Sequence, residues 1–143
     1  MDRILIVDDE FLIRYTLEEG LKDRGYDAYS AATVEEGLEF VRKYHPGGLL
    51  LDNLLENSVG MDEIVNFKNA DEELQVIMMT AYGSVSQAVE ATKRGAYDYI
   101  LKPFDVDEID MLIKRCLEQK RNRDSLVFLK GDCLLYTSDA ADD

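Results

Sequence analysis

Five short apolar runs constrain the fold of this chain more than any other feature of its sequence. The first run, Arg3 to Val7, carries leucine and β-branched residues without polar alternation, which is typical of a strand buried on both faces of a parallel sheet. Similar runs occupy residues 26–31, 48–51, 75–79 and 97–101. Parallel strands need a crossover connection, so the pattern predicts a helix between successive strands.

Helical patterns fill the gaps between these runs. Ile13, Leu17 and Leu21 have helical spacing, and Gly25 after them favours a left-handed helix end. Ile64 and Phe67 mark a short third helix, and the fourth ends at Gly95. Capping boxes predict the starts of the second, fourth and fifth helices, at Thr33 with Glu36, Ser84 with Gln87, and Asp105 with Glu108. The sequence therefore predicts a doubly wound α/β fold with a five-stranded parallel sheet and five helices.

Length and composition favour one globular domain. The chain has 143 residues, of which 46% are hydrophobic and 32% charged. A net charge of −14 opposes direct binding to nucleic acid, which requires cations to displace phosphate counterions. The apolar runs are far shorter than the roughly 20 residues of a membrane span, and the N-terminus lacks a signal pattern. We expect a cytoplasmic protein without membrane contact, and two free thiols at Cys116 and Cys133.

The regular alternation ends after about Arg123. We expect one domain over residues 1–123, followed by a segment, residues 124–143, whose apolar patches have no long helical or strand period. This segment is either the start of a linker to a further domain or a non-native tail. The second interpretation is favoured from CLLYTSDAADD onward.

Polar side chains follow four of the five strands, where the functional crevice of an open α/β sheet lies. These residues are Asp8, Asp9 and Glu10 after the first strand, Asp52 after the third, Thr80 after the fourth, and Lys102 with Pro103 after the fifth. Neighbouring carboxylates repel each other unless a hard cation or a lysine offsets their charge, so Asp8, Asp9 and Asp52 predict a Mg²⁺ site. One of the three aspartates is expected to act as a nucleophile on phosphorus. Lys102 and Thr80 would stabilise the charge on the transferred phosphoryl group.

Four segments resemble the signature motifs of receiver domains from bacterial two-component response regulators. The segments are RILIVDDE, LLLDN, MTAYGS and YDYILKPF, and together they extend through most of residues 1–123. Their wording is most similar to receivers of enhancer-binding transcription activators. The resemblance implies a flavodoxin-like fold with strand order 2-1-3-4-5. It also implies a phosphorylation-dependent switch with a histidine kinase as phosphodonor, rather than a turnover enzyme.

The resemblance also implies a role for each matched residue. Asp52 would accept the phosphoryl group, with Asp8, Asp9, Asp52 and the backbone carbonyl of Leu54 as Mg²⁺ ligands. Lys102 and Thr80 would contact the phosphate, Tyr99 would be the aromatic switch, Ala81 would leave access open, and Pro103 would hold the lysine loop through a cis peptide bond. The output domain would be a separate unit, such as an AAA+ ATPase with a DNA-binding domain. A homodimer would form through the fourth helix, fifth strand and fifth helix.

One loop departs from the family pattern. Glu56 stands where the family usually has proline, and the loop from Leu55 to Asp62 is longer than usual. Glu56 would either add negative charge near the acidic site or point to solvent, and the sequence does not favour one over the other. Two other functions remain open: a Mg²⁺-dependent phosphohydrolase with an aspartyl-phosphate intermediate, or a degenerate, unphosphorylated receiver that acts as an interaction module.

Overall fold

Strands and helices alternate along the chain, as the apolar runs predict. The computed structural model describes residues 2–55, 58–81 and 85–132, with side chains to residue 120 except at Val85. In chain order the elements are β1 (Arg3–Val7), α1 (Phe11–Asp23), β2 (Asp27–Ala31), α2 (Val34–Tyr44), β3 (Gly48–Asp52), α3 (Gly60–Ala70), β4 (Gln75–Thr80), α4 (Val85–Lys93), β5 (Asp98–Leu101) and α5 (Val106–Asp132). Each predicted strand is confirmed to within one residue at either end.

The five strands form one parallel sheet in the order β2-β1-β3-β4-β5. This order confirms the flavodoxin-like topology. The register aligns the carboxyl ends of neighbouring strands, because Val7 pairs with Leu51, Asp52 with Met79, and Thr80 with Leu101. Residues that follow different strands are therefore brought to the same edge of the sheet.

Both faces of the sheet are covered by helices, which explains why the strand sequences lack polar alternation. Ile4 and Ile6 of β1 belong to the core on the side of α1 and α5, whereas Leu5 and Val7 belong to the core on the side of α2, α3 and α4. All four side chains are fully buried. Because successive side chains of a strand point to opposite faces, a strand in this position needs an apolar residue at every step.

The predicted caps of α2 and α5 and the glycines predicted to end α1 and α4 are confirmed. The Thr33 hydroxyl accepts a hydrogen bond from the Glu36 amide at 3.2 Å. Asp105 and Glu108 form a reciprocal capping box, in which each side chain accepts from the other residue's amide. Left-handed backbone angles follow α1 and α4, at Gly25 (φ 92°) and Gly95 (φ 112°). The predicted cap at Ser84 lies outside the described residues.

Helix α5 is longer than the sequence predicts. Its backbone continues to Asp132, although the sequence after about Arg123 has no long helical or strand period. The apolar stripe that identifies the first half of α5 does not continue beyond Arg123. No proline interrupts the chain after it, and extending an established helix costs little free energy compared with starting one. The helix has 27 residues and would be about 40 Å long at 1.5 Å per residue. The segment CLLYTSDAADD, with Cys133, lies outside the described residues.

Two expectations from composition concern membranes and thiols. Within the part of the chain that the structure describes, no helix combines the length and apolar character needed to cross a bilayer. Cys116 forms no disulfide within the described residues and is buried in the core between α5 and the sheet.

Candidate functional site

Three carboxylates meet at the carboxyl edge of the sheet. Asp8 follows β1, Asp52 is the last residue of the adjacent β3, and Asp9 follows Asp8. One carboxylate oxygen from each lies within 4.8 Å of the other two. Asp8 is fully buried and Asp52 is 4% exposed. The predicted acidic cluster is therefore present, with two of its members largely removed from water.

The Lys102 ammonium lies between the two buried acids. Its Nζ is 3.1 Å from Asp52 Oδ1 and 3.2 Å from Asp8 Oδ2, with Glu10 more distant at 3.9 Å. Lys102 reaches this position because it directly follows β5, and its amide donates to the Thr80 carbonyl at 2.8 Å. One lysine charge thus offsets part of the charge of three carboxylates, and the cluster keeps a negative excess.

Burial and charge shift the ionisation of this cluster. Burial, followed by the charge of Asp8, raises the pKa of Asp52, although Lys102 and the Leu54 amide oppose the shift. Burial lowers the pKa of Lys102, but its hydrogen bond to Asp52 and the charges of both acids outweigh this effect. The net pKa of Lys102 therefore lies above its ordinary value, and the ammonium remains charged at neutral pH.

Short hydrogen bonds hold the chain at Asp8. The Glu10 amide donates to Asp8 Oδ1 at 2.8 Å, and Arg14 Nη1 donates to the Asp8 carbonyl at 2.7 Å. Arg14 lies in the first turn and a half of α1, which begins at Phe11. Sequence reasoning did not identify Arg14, because an arginine on a helix is usually part of a solvated face.

Three further residues predicted for the site follow or end strands β4 and β5. Thr80 is predicted to contact the phosphate, Ala81 to leave access open, and Pro103 to hold the lysine loop. Thr80 is the last residue of β4 and is buried, whereas the neighbouring Ala81 is exposed. The Lys102–Pro103 peptide bond is cis, as predicted. These residues surround the same edge of the sheet as the acids, so the structure brings the predicted constellation together.

Tyr99 lies on β5 and is half-buried. Its side chain packs against the core on the side of α2, α3 and α4. It lines a cavity of about 10 Å³ together with Thr80, Asn53, Met61, Met78, Gln87 and Ala91. This volume is close to the minimum that holds one water molecule. The ring therefore has little free space on the Thr80 side.

The loop after Asp52 is closed at its base. Leu54 and Val59 form an antiparallel bridge, and the Leu55 amide donates to the Ser58 carbonyl at 3.0 Å. The Leu54 amide faces the Asp52 carboxylate and lowers its pKa, against the effect of burial. Glu56, whose orientation the sequence left open, lies outside the described residues.

Asn53 and Gly60 are site residues that sequence reasoning missed. Asn53 is only 8% exposed, and its side chain accepts a hydrogen bond from the Met61 amide at 3.0 Å. Gly60 begins α3 with its backbone against the carbonyl of Asp52. A buried asparagine directly after an apolar strand was the available signal, because such a group needs a hydrogen-bond partner.

The donor set fits Mg²⁺. The three acids offer hard oxygen ligands, which this ion prefers. Oxygens around an octahedral Mg²⁺ are roughly 3 to 4 Å apart, given Mg–O distances of about 2.1 Å, so separations of up to 4.8 Å require only small side-chain adjustments. The negative excess that remains after pairing with Lys102 provides the electrostatic reason for a cation at this edge.

Known proteins are similar to this chain in sequence and in fold. Residues 4–114 match the family model described as response regulator receiver domain. The sporulation initiation phosphotransferase F of Bacillus subtilis is 38% identical over 121 residues, with 85% of this chain and 98% of the relative aligned. The regulatory protein AtoC of Escherichia coli is 35% identical over 82% of this chain, which spans only 26% of AtoC. The solution structure of the beryllofluoride-activated NtrC4 receiver domain dimer has a TM-score of 0.79 and 33% identity, covering 84% of this chain and 99% of that one.

The family match extends from β1 into α5 and includes every strand that contributes to the acidic edge. Its extent agrees with the topology and with the clustering of the three acids and Lys102. The chain therefore belongs to the response regulator receiver domain family, whose members act in phosphorylation-based two-component signalling.

Proposed function

We propose that Asp52 is the phosphoacceptor of this receiver. The observation that carries the proposal is the contact of Asp52 with Lys102 at 3.1 Å, within a cluster that also contains Asp8 and Asp9. Asp52 is the only one of the three acids that is part of a strand, at its last position, so its carboxylate has the most rigid support. Asp8 follows its strand and is fully buried, with its two carboxylate oxygens accepting from the Glu10 amide and from Lys102.

The reaction is the transfer of a phosphoryl group from a phosphohistidine of a histidine kinase. A carboxylate oxygen of Asp52 forms a bond to phosphorus while the phosphorus–nitrogen bond breaks, and the imidazole nitrogen keeps the electron pair. The Lys102 ammonium contacts the phosphoryl oxygens, and the Thr80 hydroxyl donates a hydrogen bond to one of them. Ala81 contributes only a methyl group beside this position and leaves the approach open.

Mg²⁺ would be held by Asp8, Asp9, Asp52 and the carbonyl of Leu54. When bound, the ion supplies positive charge that lowers the repulsion between the acids and the incoming phosphate. The protein residues do the positioning: the Glu10 amide and Arg14 fix Asp8, and the Leu54 amide orients the Asp52 carboxylate. The receiver turns over no external substrate in this scheme.

The proposed output is a change at the face formed by α4, β5 and α5. Phosphorylation replaces the single negative charge of the Asp52 carboxylate with a phosphoryl group that carries about −1.5 to −2 and three acceptor oxygens, which draws Thr80 and repositions Tyr99. That face carries three exposed apolar side chains, Val89 (47% exposed), Leu101 (47%) and Met111 (65%). Exposed apolar residues on three adjacent elements suit a protein interface. We assign this face to a homodimer.

The proposal also includes an output partner and a location. The chain spans about a quarter of AtoC, so a longer protein of this kind has room for further domains, such as an AAA+ ATPase and a DNA-binding domain. DNA contact would be made by such a domain, because the net charge of −14 opposes it here. A cytoplasmic location is part of the same proposal.

Intact-mass measurement tests the phosphoacceptor. The wild-type protein, incubated with a small phosphodonor and Mg²⁺, should gain the mass of one phosphoryl group, and the gain should disappear in EDTA or in Asp52→Asn. An unchanged wild-type mass would instead identify a degenerate receiver. Phosphorylation of Asp52→Asn to the wild-type extent would place the acceptor elsewhere.

Two matched valines test the dimer face. Val89→Glu changes α4, whereas Val65→Glu changes an equally exposed valine on α3, outside the proposed interface. With beryllofluoride and Mg²⁺, light scattering should show a dimer for the wild type and for Val65→Glu, and a monomer for Val89→Glu. A dimer that survives Val89→Glu would exclude α4 from the interface.

A further inference from the structure

The first turn of α3 depends on a distant side chain for its capping. Helix N-termini leave backbone amides without partners inside the helix. Val59, at the N-cap position of α3, provides no side-chain hydrogen bond. Asn53 takes over this function from six residues earlier: its backbone carbonyl accepts from the Gly60 amide at 2.7 Å, and its Oδ1 accepts from the Met61 amide at 3.0 Å.

Asn53 is also fixed from the side of the sheet. Its own amide donates to the Met79 carbonyl of β4 at 2.9 Å, and the residue is buried. Hydrogen bonds to β4 and to α3 thus hold a single residue from two directions. Gly60 makes the α3 contact possible, because a Cβ at this position would collide with the carbonyl of Asp52.

We propose that Asn53 is a positioning residue for the Mg²⁺ site. It lies between the Asp52 carboxylate and the Leu54 carbonyl, which are two of the proposed ligands, and the Asn53 bonds to Met79, Gly60 and Met61 fix the peptide units on either side of it. Outer contacts of this kind orient metal ligands without touching the metal. The inference rests on the proposed function, because that function makes Asp52 and Leu54 ligands.

The same clamp explains how the unusual loop is accommodated. The chain leaves the site at Leu54 and returns at Val59, where the antiparallel bridge closes the loop. Directly beyond the bridge, Gly60 and Met61 donate to Asn53. The bridge and these two hydrogen bonds therefore close the base of the loop directly beside the Leu54 carbonyl.

Calorimetric titration of Mg²⁺ into the unphosphorylated protein tests this role. Asn53→Ala removes the acceptor and should weaken Mg²⁺ binding roughly tenfold, at the lower end of the range typical of outer contacts in metal sites. Asn53→Asp keeps an acceptor for the Met61 amide and should retain wild-type affinity or exceed it. Asn66→Ala is the matched control, because Asn66 is exposed on the same helix and its side-chain amide donates to Glu63, away from the acids. The Mg²⁺ affinity of this variant should not change.

Amide hydrogen exchange provides a readout independent of the metal. In EDTA, protection of the Met61 amide should fall in Asn53→Ala and persist in Asn53→Asp and Asn66→Ala. Asn53→Leu keeps the buried volume without the acceptor, and it replaces Asn53→Ala if the alanine variant does not fold.

The outcomes separate this role from a purely structural one and from the phosphoacceptor proposal. A folded Asn53→Ala or Asn53→Leu protein that binds Mg²⁺ like the wild type, even at lower melting temperature, would overturn the positioning role alone. A wild-type protein that binds no Mg²⁺ at millimolar concentration would overturn the proposed metal site, and this inference with it.

Discussion

Removing the charge of Asp52 should stabilise the protein when Mg²⁺ is absent. At an effective dielectric constant of about 20, repulsion between Asp52 and Asp8 at their upper separation of 4.8 Å is about 3.5 kcal/mol. Attraction between Asp52 and Lys102 at 3.1 Å is about 5 kcal/mol on the same scale. Burial of the carboxylate adds a desolvation penalty of several kcal/mol. The sum is a net cost of about 2 kcal/mol for the ionised form.

The sign agrees with the raised pKa of Asp52. A carboxyl group whose pKa is higher in the folded than in the unfolded chain destabilises the fold once it ionises. At neutral pH the asparagine variant avoids this cost. The free energy of unfolding of Asp52→Asn in EDTA should therefore be about 2 kcal/mol higher than that of the wild type. This corresponds to a melting temperature higher by roughly 8 °C for a domain of this size.

Mg²⁺ should narrow or reverse the difference in unfolding free energy between Asp52→Asn and the wild type. A ligand that binds only the folded state stabilises it by about 1.4 kcal/mol at ten times its dissociation constant, and the variant has lost one of the proposed ligands. Urea denaturation followed by circular dichroism, with EDTA and with Mg²⁺, measures both effects. Glu39→Gln removes a charge from the exposed side of α2 and is the control. It should neither raise the stability in EDTA nor alter the stabilisation by Mg²⁺. Lower stability of Asp52→Asn than of the wild type in EDTA would refute the charge argument.

Three further substitutions test other contacts of the structure. Lys102→Ala leaves the buried acids without their cation and should destabilise the protein by about 3 kcal/mol in EDTA, measured in urea. Tyr26→Phe removes the 2.7 Å hydrogen bond to Asp110 and should cost about 1 to 2 kcal/mol at neutral pH. Burial raises the pKa of Asp110, but Tyr26 and the nearby cations lower it by more, so the net pKa in the folded chain is below its ordinary value. The stabilisation from this hydrogen bond is therefore present above the unfolded-state pKa of Asp110. In urea titrations it should vanish as the pH falls through the folded-state pKa. Gly60→Ala places a methyl group against the Asp52 carbonyl and should lower the free energy of unfolding by about 2 kcal/mol, measured through the melting temperature. An unchanged melting temperature would contradict the close approach of Gly60 to the Asp52 carbonyl.

The fold was predictable because its signals are local. Apolar runs such as residues 3–7 and 48–51 identify strands buried on both faces, and the side-chain cores on the two faces confirm this. Capping boxes at Thr33 and Asp105 each involve residues three apart, so the sequence alone contains both partners. The length of α5 was not predicted, because such local signals are absent from its second half. That half has no long apolar stripe, and no proline marks an earlier end of the helix.

The acids and the lysine of the site were predictable from topology. Parallel strands with aligned carboxyl ends must bring Asp8, Asp52 and Lys102 to one edge of the sheet. The pairing within the cluster was not predictable, because Lys102 contacts both Asp8 and Asp52 only through a specific side-chain conformation. Asn53 was missed because its partners, Met79 and Met61, come from β4 and from beyond the loop.

The small cavity beside Tyr99 constrains how the proposed switch operates. About 10 Å³ holds one water molecule but not a phenol ring, so Tyr99 cannot turn further towards Thr80 while its neighbours stay in place. Gln87 and Ala91 of α4 form part of the cavity wall, and they are the lining residues that belong to a helix on the proposed dimer face. Under the proposed function, movement of Thr80 towards a phosphoryl group on Asp52 vacates space on its side of the cavity, and the Tyr99 ring can follow into that space. Because Gln87 and Ala91 of α4 line the same cavity as Thr80 and Tyr99, a change at either residue is in direct contact with α4, which couples the acidic edge to the face carrying Val89.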